Sequence, residues 1–173
     1  MNKLFFLFLA LCTLTAFAQK NSVTSLEKLI RVEDFSYAHT ALNEFINQDS
    51  TNSKIYVYRA MCFRKETDFD NAFKDLEKAL QLDNNNNEAY CELGVIYSLI
   101  QEKEKALQNL NRSIELNANY SPAYNAKGAY YFDLHNNDSL ALKNYNKAIT
   151  LDKTNFRAYC NRAVLFNQQE KYK

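Results

Sequence analysis

His39 and His135 are the two imidazoles of the chain, and imidazole is the side chain best suited to moving protons near neutral pH. Neither has a nucleophile or carboxylate at motif spacing. His39 therefore reads as a surface or satisfied helix residue, and His135 as a loop residue. Among the thiols, Cys62, Cys91 and Cys160 lie beyond the first stretch of the chain. They form no CxxC and no Cys/His cluster of the kind a metal needs. A Gly-rich phosphate loop, GxSxG and HExxH are all missing. Asn84 to Asn87 could pair with the polar groups of a ligand, but four asparagines ahead of an apolar run fit a junction that caps the next helix. Glu102, Lys103, Glu104 and Lys105 read as a solvated helix start. The expectation is a non-enzyme with no catalytic residue, no metal site and no cofactor.

The informative spacing is longer. Ala38, Ala72, Ala106 and Ala141 are 34, 34 and 35 residues apart, and Tyr56, Tyr90, Tyr124 and Tyr159 repeat those steps. Two series with one period and the same slip define an internal repeat. The units run 19–52, 53–86, 87–120 and 121–155, with a partial unit at 156–173. Each reads as two amphipathic stretches around a short polar break. In the third unit Tyr90, Leu93, Gly94 and Tyr97 share one helical face, and Ala106, Leu110, Ser113 and Ile114 share another. Two Gly and one Pro in 173 residues leave little to interrupt helices. The fold class is all-α.

Ala60, Gly94, Gly128 and Ala163 recur where the two helices of a unit would cross, so their axes can approach closely. The flanking aromatics, such as Tyr90 with Tyr97 and Tyr124 with Tyr131, would fill the remaining groove. Ser121 before Pro122 predicts a helix start, and Asp68 and Asp138 are candidate N-caps.

With its aromatic, Leu-Gly, Tyr and Ala positions, the stretch EAYCELGVIYSLIQEKEKALQNLNRSIELNAN resembles the tetratricopeptide repeat. SPAYNAKGAYYFDL with SLALKNYNKAITLD is similar, and the resemblance extends over the chain after residue 18. It implies a right-handed superhelical solenoid of about four and a half units, with first helices lining a concave face that holds a peptide or a partner's helix. Asn84, Ala118 and Lys153 stand where the family usually closes a unit with Pro. One extra residue in DLHNNDSLA is expected to lengthen the turn within the fourth unit.

The first 18 residues follow a different pattern. Lys3, an apolar run from Leu4 to Leu14 broken by Thr13, and Ala16-Phe17-Ala18 read as a secretory signal peptide cleaved before Gln19. The apolar run is short for a membrane span, and Leu11 before Cys12 does not suit a lipid-anchor signal. The mature chain is therefore expected to be exported, to the periplasm or outside a bacterial cell, without stable membrane insertion. Losing Lys3 takes the formal charge from +1 to neutral. A neutral array without a Lys/Arg stripe is a poor nucleic-acid binder, which disfavours the similar helical RNA-binding repeats. The odd thiol number after cleavage leaves at least one unpaired within the chain. Cys91 and Cys160 occupy equivalent places two units apart, too distant for a bridge, and the thiols read as small, partly buried residues.

The expected peptide-binding groove comprises Tyr58, Met61, Arg64, Glu92, Val95, Asn125, Ala129, Phe132 and Asn161. Lys54 and Lys65 accompany the basic end, Glu88 and Ser98 the acidic one, with Asp133 and Arg157 further along. Asn side chains can pair with both N–H and C=O of a bound backbone. Family members that bind chaperone tails use a Lys/Asn/Arg clamp for a carboxylate. Val57, Met61, Glu92 and Asn125 do not reproduce it. NFRAYCNRAVLFNQQEKYK reads as a first helix without its second, from a chain cut from a longer array, leaving Val164, Leu165 and Phe166 as a possible end-to-end contact and Phe166 as a cause of dimerisation. Two roles follow: a protein-binding scaffold, or an assembly module that associates through that end or forms part of a larger envelope protein or enzyme.

Overall fold

The computed structural model describes residues 35–171, so the stretch read as a signal peptide and the first half of the first unit lie outside the described residues. Eight helices follow one another: α1 (Phe35–Gln48), α2 (Ser53–Lys65), α3 (Phe69–Leu82), α4 (Asn87–Leu99), α5 (Lys103–Leu116), α6 (Ser121–His135), α7 (Asp138–Leu151) and α8 (Phe156–Lys171). No strand occurs among the described residues. α2 with α3, α4 with α5 and α6 with α7 form antiparallel pairs. Each pair stacks on the next, giving an all-α repeat solenoid whose core runs continuously along the stack.

The alanine series sits at the crossings. Ala38, Ala72, Ala106 and Ala141 are fully buried, with Leu42, Leu76, Leu110 and Tyr145 four residues further along each second helix. Across from these, Gly94 and Gly128 have no room for a methyl group. A Cβ on Gly94 would stand 2.6 Å from Cγ of Leu110, and one on Gly128 2.5 Å from the Tyr145 ring. The close approach expected from the small residues is therefore present, and bulky neighbours fill the space. The tyrosine series adds polar anchoring. Tyr56 Oη donates to the Ser50 carbonyl at 3.2 Å, and Tyr124 Oη to the Ala118 carbonyl at 3.2 Å.

Neighbouring units are also tied by polar bonds that keep the period. Arg59 donates to Asn43 at 2.7 Å, Lys127 to Asn111 at 2.6 Å, and Arg162 to Asn146 at 2.7 Å. At each of these junctions a cation on a first helix reaches the preceding second helix. The remaining junction has Leu93 and Glu77 in those places. Within the second unit Arg59 also grips Asp75 through two bonds, at 2.7 and 2.6 Å. This fork geometry is the strongest form of carboxylate pairing.

Caps explain the boundaries and correct two expectations. Asn52, Asn86 and Asn155 accept from the N–H of Lys54, Ala89 and Ala158 at the starts of α2, α4 and α8. Asp68 caps α3 as expected, accepting from Asn71. For α7 the cap is Asn137, which accepts from Leu140 at 3.0 Å, and Asp138 is already helical. At α6 the N-cap is Tyr120, while Ser121 is the first helical residue and Pro122 the second. The Ser121 hydroxyl instead donates to the buried Ala148 carbonyl at 2.9 Å.

The extra residue of the fourth unit does not lengthen its turn. α6 has 15 residues where α2 and α4 have 13, and the break after it shortens. α2 and α4 end in left-handed Thr67 and Gln101, each with its own N–H and that of the next residue folding back onto the last turn (Thr67 to Arg64 and Asp68 to Phe63, Gln101 to Ser98 and Glu102 to Tyr97). α6 ends in left-handed Asn136, and Asn137 bonds the Tyr131 carbonyl, one residue further back. The wider final turn takes up the insertion. His135 is thus the last residue of α6, not a loop residue.

Candidate functional site: the face formed by the first helices

Met61, Val95, Ala129 and Val164 keep the repeat period and lie on α2, α4, α6 and α8. They form one apolar residue per unit along the face shared by the first helices. Met61, Val95 and Ala129 are half-buried and Val164 is exposed. Side by side, these helices make shallow furrows, because helix axes stand about 8–10 Å apart and small residues leave the space between them unfilled.

The half of this face nearest α2 is filled. Arg64 Nε donates to Glu92 at 2.7 Å, and Lys54 Nζ lies 3.3 Å from Glu88. The basic end and the acidic end expected to face a ligand are thus joined to each other across the α2–α4 junction. Arg64 and Glu92 keep only 12% and 11% of their side-chain surface exposed. Tyr58, expected in the groove, is 4% exposed and packs with Ala38, Leu42 and Ile55 against α1. It is withdrawn from the site by that packing.

Tyr120 completes the filling. It stands where Asn52, Asn86 and Asn155 cap the other first helices, and it makes no cap. Elsewhere the capping Asn also reaches back one unit: Asn86 donates to Ser53 at 3.0 Å and Asn155 to Ser121 at 2.7 Å. Asn87, the counterpart of Ser53 and Ser121, has a buried Nδ2 with no acceptor among the described residues. The Tyr120 side chain packs instead into the core cluster around Cys91 and Ala123. Burial pushes its phenol well above the ordinary value, and Cys91, Glu88 and Glu92 nearby add to the rise. This residue was missed in the sequence. Its signal was the break in the asparagine series.

The open part lies between α4 and α6. A cleft of about 110 Å³ is lined by Val95, Ser98 and Leu99 on one side and by Ala126, Ala129, Tyr130, Asp133 and Leu134 on the other. Of the expected groove residues, only Val95 and Ala129 line it. Leu99, at its rim, is 55% exposed. Asp133 occupies the place in its unit that Leu99 holds in the preceding one. Partial desolvation raises its carboxyl above the ordinary aspartate value, and no cation pairs with it among the described residues. Further along, Asn161 donates to Asn125 at 3.0 Å across α6 and α8. That bond uses one N–H of Asn161 and the oxygen of Asn125, so the Asn125 amide N–H groups and the Asn161 amide oxygen are the atoms left to pair with a bound backbone. Phe132 is half-buried against the Ala141, Tyr145 and Leu165 cluster.

The C-terminal helix is divided. Leu165 is fully buried against Tyr145 and cannot form an end-to-end contact, which corrects the expectation for that residue. It is the counterpart of Cys62, Ile96 and Tyr130, each of them buried. Phe156, Tyr159, Val164 and Phe166 are exposed, Phe156 by 74%. Tyr159, Ala163 and Phe166 form the face that a second helix covers in the other units.

The histidines have structural partners. His39 Nε2 is 2.7 Å from Glu66 and its ring lies 4.5 Å from Phe63, while His135 shares a 2.8 Å hydrogen bond with the Tyr130 hydroxyl. Among the described residues no three His, Cys, Asp or Glu side chains gather as a metal site would, and no helix is long and apolar enough to cross a membrane.

The described thiols are free. Burial pushes Cys62 up to about 12 and Cys91 well above the usual thiol range. Only thiolates react readily with alkylating agents. In the native protein iodoacetamide should therefore modify Cys160, half-buried, while sparing Cys62 and Cys91 until denaturant is added. Mass mapping of the labelled peptides checks this, and rapid native labelling of Cys91 would contradict the packing described.

Comparisons with known proteins give the family. The tetratricopeptide repeat profile matches residues 53–86 and 88–120, and a second profile described as TPR repeat matches 136–169. No curated protein matches the chain. Among solved structures, MamA is 27% identical with a TM-score of 0.57, covering 84% of each chain. A thermophilic TPR protein from Thermus thermophilus is 14% identical with a TM-score of 0.68, covering 82% of this chain and 77% of that one. The first TPR of Spaghetti, bound to an HSP90 peptide, is 22% identical with a TM-score of 0.58, over 70% of this chain and 96% of its own. Together the repeated helix pairs and the profile matches over three stretches place the chain in the tetratricopeptide-repeat family.

Proposed function

We propose that the array is a non-enzymatic scaffold that holds a peptide or helix of a partner protein against its first helices, in the furrow between α4 and α6. The observation that carries this reading is the cleft beside the periodic apolar stripe, open where the neighbouring α2–α4 furrow is filled by paired charges. An apolar recess with few polar groups is the usual form of a binding site. The fold is typical of protein-interaction scaffolds, and the Spaghetti neighbour carries a peptide. An exported location, periplasmic or extracellular, is part of the proposal and rests on the leader pattern of the first 18 residues.

A second reading is favoured by the exposed face of α8. Phe156, Tyr159 and Phe166 together leave apolar surface that a further helix or a second copy could cover. One experiment separates the two. A photo-crosslinking amino acid is placed at Ala129 in one variant and at Phe166 in another, in the full chain expressed in cells. Adducts to another protein at position 129, lost when Val95→Trp fills the cleft, support the groove. Adducts only at 166, with the mass of two copies of the chain, assign the assembly role instead and overturn the groove reading. Helical content of each variant, followed by circular dichroism, guards against misfolding.

A further inference from the structure

We infer that the α4–α6 cleft selects a cationic ligand segment: an aliphatic side chain seated between Val95, Leu99 and Ala129, with a lysine or arginine beside it paired to Asp133. The inference rests on the groove reading above and adds the chemistry of the ligand. Charge complementarity carries it. The cations of the α2–α4 half of this face are paired, Arg64 with Glu92 and Lys54 with Glu88, while Lys103 of α5 bonds the neutral Leu134 carbonyl at 3.0 Å and keeps its charge. The carboxylates Glu88 and Glu92 are neutralised by the same pairs. Asp133 is the carboxylate that lines the cleft and, exposed at its rim, it has no counter-ion among the described residues. None of the described residues lining the cleft is a cation, so an acidic tail would meet this carboxylate and the cleft disfavours anionic peptides.

Geometry narrows the segment. Leu99 and Asp133 hold equivalent places on adjacent first helices, whose axes stand about 8–10 Å apart. An extended chain advances ~3.3 Å per residue. The apolar anchor and the cation are therefore about two or three residues apart. Small Ala126 and Ala129 in the cleft lining leave room for an aliphatic side chain rather than an indole.

The test is selection of a random peptide display library on the full chain, in parallel with Asp133→Lys and Ala129→Trp variants of matched helicity. The expected result is enrichment of peptides with Leu, Ile, Val or Met two or three residues from Lys or Arg. Their affinity should fall about tenfold or more in Asp133→Lys, as expected for one charge-assisted contact, and Asp133→Asn should fall between. Selected peptides blocked by Ala129→Trp but lacking a cation, or indifferent to Asp133→Lys, would overturn the ligand chemistry while leaving the groove reading in place. Selected peptides indifferent to Ala129→Trp, or none selected, would overturn both.

Discussion

Arg64→Ala should lower the unfolding free energy by about 2–3 kcal/mol, several times the effect of Lys54→Ala. Both substitutions remove a cation from α2 that pairs with α4, and both introduce the best helix former. They differ in what stays behind. Arg64 and Glu92 are each close to nine-tenths covered and joined at 2.7 Å, so Arg64→Ala strands a buried carboxylate and also removes the stem that packs over the junction. Lys54 and Glu88 are 3.3 Å apart and more exposed, at 43% and 26%. There water replaces the lost partner, and the cost should be below about 1 kcal/mol. Urea unfolding followed by circular dichroism measures both from the midpoint at unchanged slope. The double variant Arg64→Met/Glu92→Leu should recover most of the loss, because a matched apolar pair strands no charge. If Arg64→Ala and Lys54→Ala cost the same, the buried pair does not hold the second and third units together. In that case the polar face near α2 would have to be reconsidered as a binding surface.

That pair also marks the limit of what the sequence discloses. The period located the three described helix pairs, because alanine and tyrosine must return to the same crossing each time the chain completes a unit. It also carried information that a helix-by-helix reading passes over. Leu165 belongs with Cys62, Ile96 and Tyr130, so its burial was legible from the repeat, yet reading Val164-Leu165-Phe166 as one apolar run placed it outside. Lys54 and Glu88 are one full period apart, hence neighbours across adjacent first helices, and opposite charges there neutralise each other. Arg64 and Glu92 are 28 apart, off the period, and only the tilt between stacked helices brings them together. Tyr58 shows the same limit. Whether an aromatic on a first helix turns toward the groove or toward the preceding unit depends on stacking geometry, which no local pattern encodes. The face shared by the first helices was therefore accessible from the sequence, and where it stays open was not.

The close approach at Gly128 leads to the second large effect. Gly128→Ala should destabilise the protein by about 1–2 kcal/mol, although the same change in an exposed helix would stabilise it by about 1 kcal/mol. The added methyl would lie 2.5 Å from two ring carbons of Tyr145 and 3.1 Å from a third. Tyr145 is 1% exposed, held between Ala141 and Leu165, so the ring cannot swing into solvent and α6 must move away from α7. The second unit contains the alternative solution: Ala60 stands where Gly128 does and Leu76 where Tyr145 does, both fully buried. Tyr145→Leu alone should cost about 1–3 kcal/mol for the lost ring. Combined with Gly128→Ala it should cost clearly less than the sum, with a coupling of about 1–2 kcal/mol, because the pair then reproduces the Ala–Leu packing of the second unit. Thermal and urea unfolding of the two single variants and the double variant close the cycle. Strict additivity, or a stabilising Gly128→Ala, would mean that glycine is not required by the ring and that the small-residue series does not set the spacing of helices within a unit. A coupling of the expected size would show that each unit tunes the same crossing with its own large–small pair. Helix spacing, and with it the width of the α4–α6 furrow, would then be set one unit at a time.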